Sequence, residues 1–221
     1  MVCKTDLAVE KLIKDKINQD YPGHAILAEE SGNNNIDSDY MWIIDPIDGS
    51  RNYIHGHPTF GISIALAHKR EVVMGVVYFP MIDWMFTAEK GKGAERNGQK
   101  IQVSNRKPET SDTMATYGCA FHREKEEQIE IFSRYIDLMR KVRIEGAATF
   151  AFCAVACGIY ESSIGMFAKP WDYAASCLIV EEAGGRVTDY SGKRWNLEME
   201  KFVASNGIMH EELLNKVVKN G

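Results

Sequence analysis

No run of apolar residues in this chain is long enough to cross a bilayer, and the opening Met1-Val2-Cys3-Lys4-Thr5-Asp6 has none of the apolar core of a signal peptide. Clustered basic sequence is also missing. With a net charge of -5, nothing points to nucleic acid, which demands a basic face. The five cysteines (Cys3, Cys119, Cys153, Cys157, Cys177) contain no C-x-x-C pair. Odd in number and scattered, they fit free thiols in a reducing cytoplasm better than a disulfide or zinc framework. Internal repeats and low-complexity tracts are absent as well. What remains is a cytoplasmic globular protein, 45% apolar and 26% charged, whose 221 residues suffice for one large domain or two small ones sharing an interface.

The elements that can be read from residue pattern fall into two rhythms. Thr5 or Asp6 can start a helix with Val9, Leu12, Ile13 and Ile17 on one face, stopped at Tyr21-Pro22-Gly23. Strands are expected at His24 to Ala28, Met41 to Ile44, Phe60 to Ala67, Val72 to Phe79 and Trp84 to Ala88, with Asn97-Gly98 turning into another at Ile101 to Val103. Their close spacing predicts antiparallel pairing, because parallel neighbours need long crossovers. A polar stretch from Ser104 to Ser111 is the expected boundary, dividing the chain into residues 1–106 and 107–221.

Beyond the boundary, strands and helices alternate. Strands are expected at Thr113 to Tyr117, Val142 to Ile144, Ile159 to Ile164, Arg186 to Asp189 and Phe202 to Ala204. Helices are expected at Lys125 to Met139, Ala147 to Gly158, Tyr173 to Ala183 and Glu211 to Lys219. The fold class is α/β of the α+β type, an antiparallel half packed on a mixed one.

Most of the chemistry is concentrated in Trp42-Ile43-Ile44-Asp45-Pro46-Ile47-Asp48-Gly49-Ser50-Arg51-Asn52-Tyr53. An apolar strand delivers two acids to a Gly-Ser turn. Burying two carboxylates this close is costly unless a cation holds them. Glu29-Glu30 ends another strand, Asp6 starts a helix, and Asp172 follows Trp171. A lone strand-end aspartate is usually a turn residue. Several acids converging beside a turn suit a hard cation such as Mg²⁺, which takes oxygen ligands and keeps waters. Gly49 and Ser50 open a short helix whose N–H groups can meet a phosphate. The Ser50 hydroxyl stands where it can orient a water. His55 and His57 flank Gly56 and Pro58 as turn residues, and Met81 to Met85 forms an apolar hairpin corner, a candidate dimer contact.

The sequence resembles the inositol monophosphatase family of metal-dependent, lithium-sensitive phosphatases. Trp42 to Tyr53 stands for the W-I-I-D-P-[IL]-D-G-[ST]-x-N-[FY] signature. Trp171-Asp172-Tyr173-Ala174-Ala175 with Glu182-Ala183-Gly184-Gly185 stands for the second, and Glu29-Glu30-Ser31 for the E-E-S string. The resemblance covers essentially the whole chain. It implies a layered α-β-α-β-α sandwich and a homodimer. It also implies Mg²⁺-dependent hydrolysis of a small polyol or sugar phosphate by metal-activated water attack. Two or three Mg²⁺ ions are implied, with Mn²⁺ as a substitute and Ca²⁺ or Li⁺ inhibitory. By residue match, Glu29, Asp45 and the Ile47 carbonyl would hold one ion, and Asp45, Asp48 and Asp172 another. Ser50 with Asp6 would activate the water, with Glu29 counted among the catalytic groups. The amides of Gly49 and Ser50 would bind phosphate, while Asp48, Gly146, Ala148 and Asp172 would face the substrate.

Two departures from the family stand out. Members usually carry more helical sequence ahead of the dipeptide matched by Thr5-Asp6, so Asp6 is expected at a frayed helix start. Inositol-specific members have a sugar-binding glutamate seven residues before the aspartate of W-D. This chain has Gly165 there. Inositol monophosphate is thus the substrate by resemblance. Histidinol phosphate, fructose 1,6-bisphosphate and 3'-phosphoadenosine 5'-phosphate are the alternatives, as is a metal- or partner-binding member with impaired catalysis.

Overall fold

The computed structural model describes residues 4–34, 36–107, 113–118 and 123–219. Cys3, Cys119 and the last part of the expected boundary lie outside these. Helix α1 spans Lys4–Asp20. Its inward stripe is not the expected apolar one, since Leu12 is 71% exposed while Asp6, Glu10 and Ile17 are buried. Asp6, Glu10, Ile13 and Ile17 recur at helical spacing, so the same face carries acids at its start and hydrocarbon at its end. Asp6 is 0% exposed within this regular helix, which corrects the expectation of a frayed start.

Strands β1 (Ala25–Ala28), β2 (Gly32–Asn33) and β3 (Tyr40–Asp48) follow, then the short helix α2 (Ser50–Ile54). Next are β4 (Gly61–His68), β5 (Glu71–Phe79), β6 (Trp84–Glu89), β7 (Gly93–Arg96) and β8 (Gln99–Lys100). These strands form one eight-stranded sheet in the order β2-β1-β3-β4-β5-β6-β7-β8. The sheet is mixed rather than purely antiparallel, because β1 runs parallel to β3 with Ala25 opposite Met41. The intervening β2 and loop return the chain to the start of the sheet, which lets two strands close in sequence run the same way. The Asn97-Gly98 turn joins β7 to β8, so the expected strand at Ile101 to Val103 does not form. Val103 N–H instead reaches Ala183 O at 3.0 Å.

The second half contributes β9 (Met114–Gly118), α3 (Lys125–Leu138), β10 (Lys141–Arg143), α4 (Ala148–Ala156) and β11 (Ser162–Met166). It continues with α5 (Pro170–Glu182), β12 (Arg186–Thr188), β13 (Lys201–Ser205) and α6 (His210–Leu213), which runs into a π-helical turn at Leu214–Val218. Its five strands are ordered β10-β9-β11-β13-β12, parallel from β10 to β11 and antiparallel thereafter. Strand β11 begins later than expected because Ile159 and Tyr160 N–H groups still close the end of α4 on Ala154 O. Helix α5 begins earlier than Tyr173, since Pro170 starts its first turn and Asp172 accepts from Lys169 N at 2.6 Å.

Three apolar clusters define five layers. Ile17 of α1 packs with Ile26, Ala28 and Ile44 on one face of the large sheet. The opposite face, with Ile43, Val77, Phe79 and Phe86, meets α4 and α5, which also pack against the small sheet. Ile131 and Tyr135 of α3 and Leu213 of α6 cover the outer side of the small sheet through Tyr117, Ile164 and Val203. This is the α-β-α-β-α sandwich. Contact between α5 and β5 requires glycine, since a Cβ on Gly75 would lie 2.7 Å from Ala175 O.

At the far side of the small sheet a directed hydrogen-bond chain joins β13, α6 and β12. The Thr188 hydroxyl donates to Asp189 O at 2.8 Å, so it must accept from His210 Nε2–H at 2.9 Å. His210 Nδ1 then accepts from the Ser205 hydroxyl at 2.8 Å, and Ser205 Oγ accepts from Gly207 N–H. The Ser205–Nδ1 link needs a neutral imidazole.

Candidate active site

Strand alternation assembles the acids. Leu27 and Ile43, on adjoining strands, face the α4–α5 layer. Continuing that period places Glu29 and Asp45 on the same side. A regular strand would turn Asp48 away, because it is three residues past Asp45. It does not, since the β3–β4 register shifts between Asp45 and Asp48. The extra residue is a bulge that contains Pro46, whose missing N–H is harmless because β1 no longer pairs there. The strand expected to end at Asp45 thus continues through the proline, and both carboxylates reach one site.

Asp48 is met by the start of α4. Its Oδ1 accepts from Ala148 N at 3.1 Å, and its Oδ2 accepts from Thr149 N at 2.7 Å and from the Thr149 hydroxyl. No side chain of α4's own caps that helix, so Asp48 does so from a hundred residues away. Asp172 lies in the first turn of α5, so two helix N-termini converge on the acids. Gly49 follows with φ +83°, a left-handed conformation suited to glycine, and a Cβ there would meet Ala147 Cβ at 3.0 Å.

Burial and mutual repulsion raise the proton affinity of the whole set. Asp45 is buried and held well above the usual carboxylate range by desolvation, then by the charges of Asp48, Glu29 and Asp172. Burial also raises Asp48, while the Thr149, Ala148 and Gly49 donors oppose it. Asp172 is pushed up to about 7 by desolvation and the nearby Asp48 charge. Glu29 is raised by burial and by the charges of Glu30, Asp48 and Asp6, against a hydrogen bond to Asp45 that lowers it.

The water-activating pair expected from sequence comes together. Ser50 Oγ lies 3.0 Å from Ile47 O and 3.3 Å from Asp6 Oδ1, toward which its proton can point. The oxygen lone pairs remain able to accept from a water. Gly146, with φ +72°, Ala148 and Asp172 line a cavity of about 200 Å³ beside these groups. Arg51 on α2 and His55 just past its end are exposed, and His57 Nδ1 is engaged with the Thr59 hydroxyl at 2.8 Å, which leaves them outside the acid cluster.

Three supporting residues were missed from sequence. Glu10 Oε2 accepts from Glu30 N at 2.9 Å and pins the turn after Glu29. Asn52 donates to Thr59 O at 2.7 Å and Glu145 O at 2.8 Å, joining the Gly-Ser turn to the loop before α4. Its place inside the Trp42–Tyr53 string was the available signal. Thr149 carried no signal, because its partner is remote in sequence.

Among the described residues, no group of three or more histidine, cysteine, aspartate or glutamate side chains forms a ready metal cage. A hard divalent cation that keeps several waters does not require one. The donors available are all oxygen: the carboxylates of Glu29, Asp45, Asp48 and Asp172 and the Ile47 carbonyl. Burial raises all four carboxylates above their usual range, so the site favours added positive charge. The residues present therefore fit Mg²⁺.

Comparison with known proteins agrees with this geometry. The profile of the inositol monophosphatase family matches residues 1–221. "Inositol monophosphatase 2" of Solanum lycopersicum is 37% identical over 227 residues, covering 97% of this chain and 84% of the relative. "Fructose-1,6-bisphosphatase/inositol-1-monophosphatase" of Thermotoga maritima is 35% identical over 221 residues, covering 98% and 82%. The crystal structure of the extragenic suppressor protein suhB from Bartonella henselae superposes with a TM-score of 0.94 at 31% identity, covering 100% of this chain and 87% of that one.

Proposed function

The chain belongs to the inositol monophosphatase family, and we propose on that premise that it is a Mg²⁺-dependent phosphomonoesterase acting on a small polyol or sugar phosphate. Inositol monophosphate is the substrate nominated by the resemblance. The observation that carries this reading is the convergence of four carboxylates beside a Ser50–Asp6 pair, where burial and repulsion raise Glu29, Asp45, Asp48 and Asp172 together. A cytoplasmic homodimer belongs to the same proposal. No helix among the described residues is long and apolar enough to cross a membrane.

Glu29, Asp45 and the Ile47 carbonyl would hold one Mg²⁺, and Asp45, Asp48 and Asp172 a second. The ions supply charge neutralisation for the phosphoryl oxygens and leaving alkoxide, and lower the pKa of water. Ser50 accepts a hydrogen bond from the attacking water and so aims its lone pair at phosphorus. Asp6, 3.3 Å from Ser50 Oγ, draws the proton away through the hydroxyl. The amides of Gly49 and Ser50, at the start of α2, would meet the phosphate, as the resemblance implies. Asp48 is held by the start of α4 and Asp172 by Lys169 N–H, which orients both carboxylates.

The test is phosphate release in Mg²⁺ from inositol 1-phosphate, histidinol phosphate, fructose 1,6-bisphosphate and 3'-phosphoadenosine 5'-phosphate. Release from at least one ester that is abolished by chelation supports the reading. Chelator-insensitive release, or none from any ester, overturns it.

A further inference from the structure

One carboxylate in the cavity beside Asp172 has no part in the acid cluster. Glu145 lines that cavity, together with Thr116, Ser163 and Asp172. Strand register accounts for its place. Arg143 pairs with Thr116 across β10 and β9, and Thr116 pairs with Ser163 across β9 and β11. Glu145 lies two residues past Arg143, so continuing the alternation turns it to the face that carries Thr116 and Ser163. The backbone there is tied down. Asn52 Nδ2, on the helix that follows Gly49, donates to Glu145 O at 2.8 Å. Gly146 holds φ +72°, and a Cβ on it would meet Asn52 Oδ1 at 3.1 Å. Glu145 is therefore fixed to the turn whose amides would meet the phosphate.

Its carboxylate is held from beyond the far end of α4. Tyr160, 6% exposed, donates its hydroxyl to Glu145 Oε1. Burial raises the Tyr160 phenol above its ordinary range, and the adjoining Glu145 raises it further, so the phenol stays a donor. Glu145 Oε2 is left without a partner among the described residues. The floor offers the complementary group. Ser163 is 0% exposed, and its Oγ has no hydrogen-bond partner among the described residues. The Ser163 O–H can donate where the Glu145 carboxylate can only accept. Gly165, two residues further along β11, brings no side chain of its own to this face.

We propose that Glu145 is a specificity-determining residue, held by Tyr160, that accepts a hydrogen bond from a hydroxyl of the substrate's alcohol. The Ser163 hydroxyl donates to a second one. The site then favours phosphate monoesters of polyols over those of plain alcohols. A site built to pair with a hydroxyl rejects the analogue lacking it, because its own polar groups are left unpaired. A hydrogen bond to a charged group is worth on the order of tenfold in affinity. This deepens the phosphatase reading, on which it rests for the phosphate end of the site.

The test compares inositol 1-phosphate with cyclohexyl phosphate, which share a six-membered carbon ring and differ by five hydroxyls. Calorimetric titration of the whole chain in Ca²⁺ measures binding, and phosphate release in Mg²⁺ is followed separately. Inositol 1-phosphate is expected to bind about tenfold more tightly or better, and Glu145→Gln to narrow that ratio to about threefold. Tyr160→Phe, which keeps the carboxylate but removes its holder, is expected to narrow the ratio in the same direction. Equal or tighter binding of cyclohexyl phosphate to the wild type overturns the inference, as does failure of both esters to bind. An unchanged ratio in a folded Glu145→Gln variant, even with both affinities lowered, assigns Glu145 a structural role and overturns it too. Where that variant does not fold, Tyr160→Phe decides by the same ratio. Esters that bind with the expected preference but are not hydrolysed refute the phosphatase reading and leave the role of Glu145 intact.

Discussion

Replacing Asp48 by asparagine separates its role at α4 from its role toward a cation. Asparagine keeps one oxygen, which can stay with the two Thr149 donors near Oδ2. Its Nδ2 then faces the Ala148 N–H that Oδ1 accepts at 3.1 Å. A buried N–H left in this way costs about 1–3 kcal/mol. Removing the charge offsets part of that, because Asp48 is the leading repulsive neighbour of both Asp45 and Asp172. The metal-free variant should therefore melt within a few degrees of wild type. The response to Mg²⁺ should differ much more. A ligand at 100 times its Kd stabilises the folded state by about 2.7 kcal/mol. For a chain of this size that amounts to about 5–10 °C in Tm. The variant should lose most of this shift at the same Mg²⁺ concentration. Its kcat/KM on the best ester of the panel should fall at least ~100-fold, equivalent to about 2.7 kcal/mol of transition-state stabilisation. Thermal melts with and without Mg²⁺, alongside phosphate release, give both numbers. An Asp48→Asn protein with wild-type kcat/KM and an undiminished Mg²⁺ shift would refute the assignment of these acids to metal.

Other outcomes are as specific. Ser50→Ala should lower kcat by about 10²–10⁴-fold with KM little changed, since the hydroxyl acts on the attacking water rather than on bound ester; steady-state kinetics decides. Gly75→Ala drives a methyl toward Ala175 O, and overpacking of this kind costs about 1–3 kcal/mol, readable as a lower Tm without change in KM. Burial lowers His210 from 6.5 to about 4, so on acidification the unfolded chain takes up its proton first. The folded state then loses about 3 kcal/mol between pH 6.5 and 4. Denaturant melts of His210→Gln across that window should lack this loss, and an unaltered acid limb would contradict the neutral hydrogen-bond chain.

The acids were legible because an unusual residue combination is concentrated in a few positions. Asp45, Asp48, Gly49 and Ser50 sit in one string, and local composition alone marked Glu29 and Asp172 as strand-end or helix-start acids. What local pattern could not carry was pairing over distance. The bulge at Pro46 is defined by register with β4, and the parallel run of β1 beside β3 by how the chain returns from β2. Leu12 looked inward by period, but the face of α1 was decided by where Asp6 and Glu10 had to go. The cap on α4 joins Asp48 to Thr149, and nothing near Thr149 announces it. Gly165 was visible as a departure, yet only the packing of β13 shows that the Phe202 ring stands against it.

The bond from Asp48 to α4 also bears on the order in which the protein matures. During synthesis the eight-stranded sheet leaves the ribosome well before Ala148 and Thr149, while domains tend to fold as units in order of emergence. Until α4 arrives, Asp48 lacks the donors that hold its carboxylate, and Asp172 has not been made. Contacts spanning a hundred residues close late, because the entropy of so long a loop must be met first. A nascent chain therefore carries Asp45 and Glu29 before Asp48 has its donors, and the four carboxylates meet only once the starts of both α4 and α5 have docked.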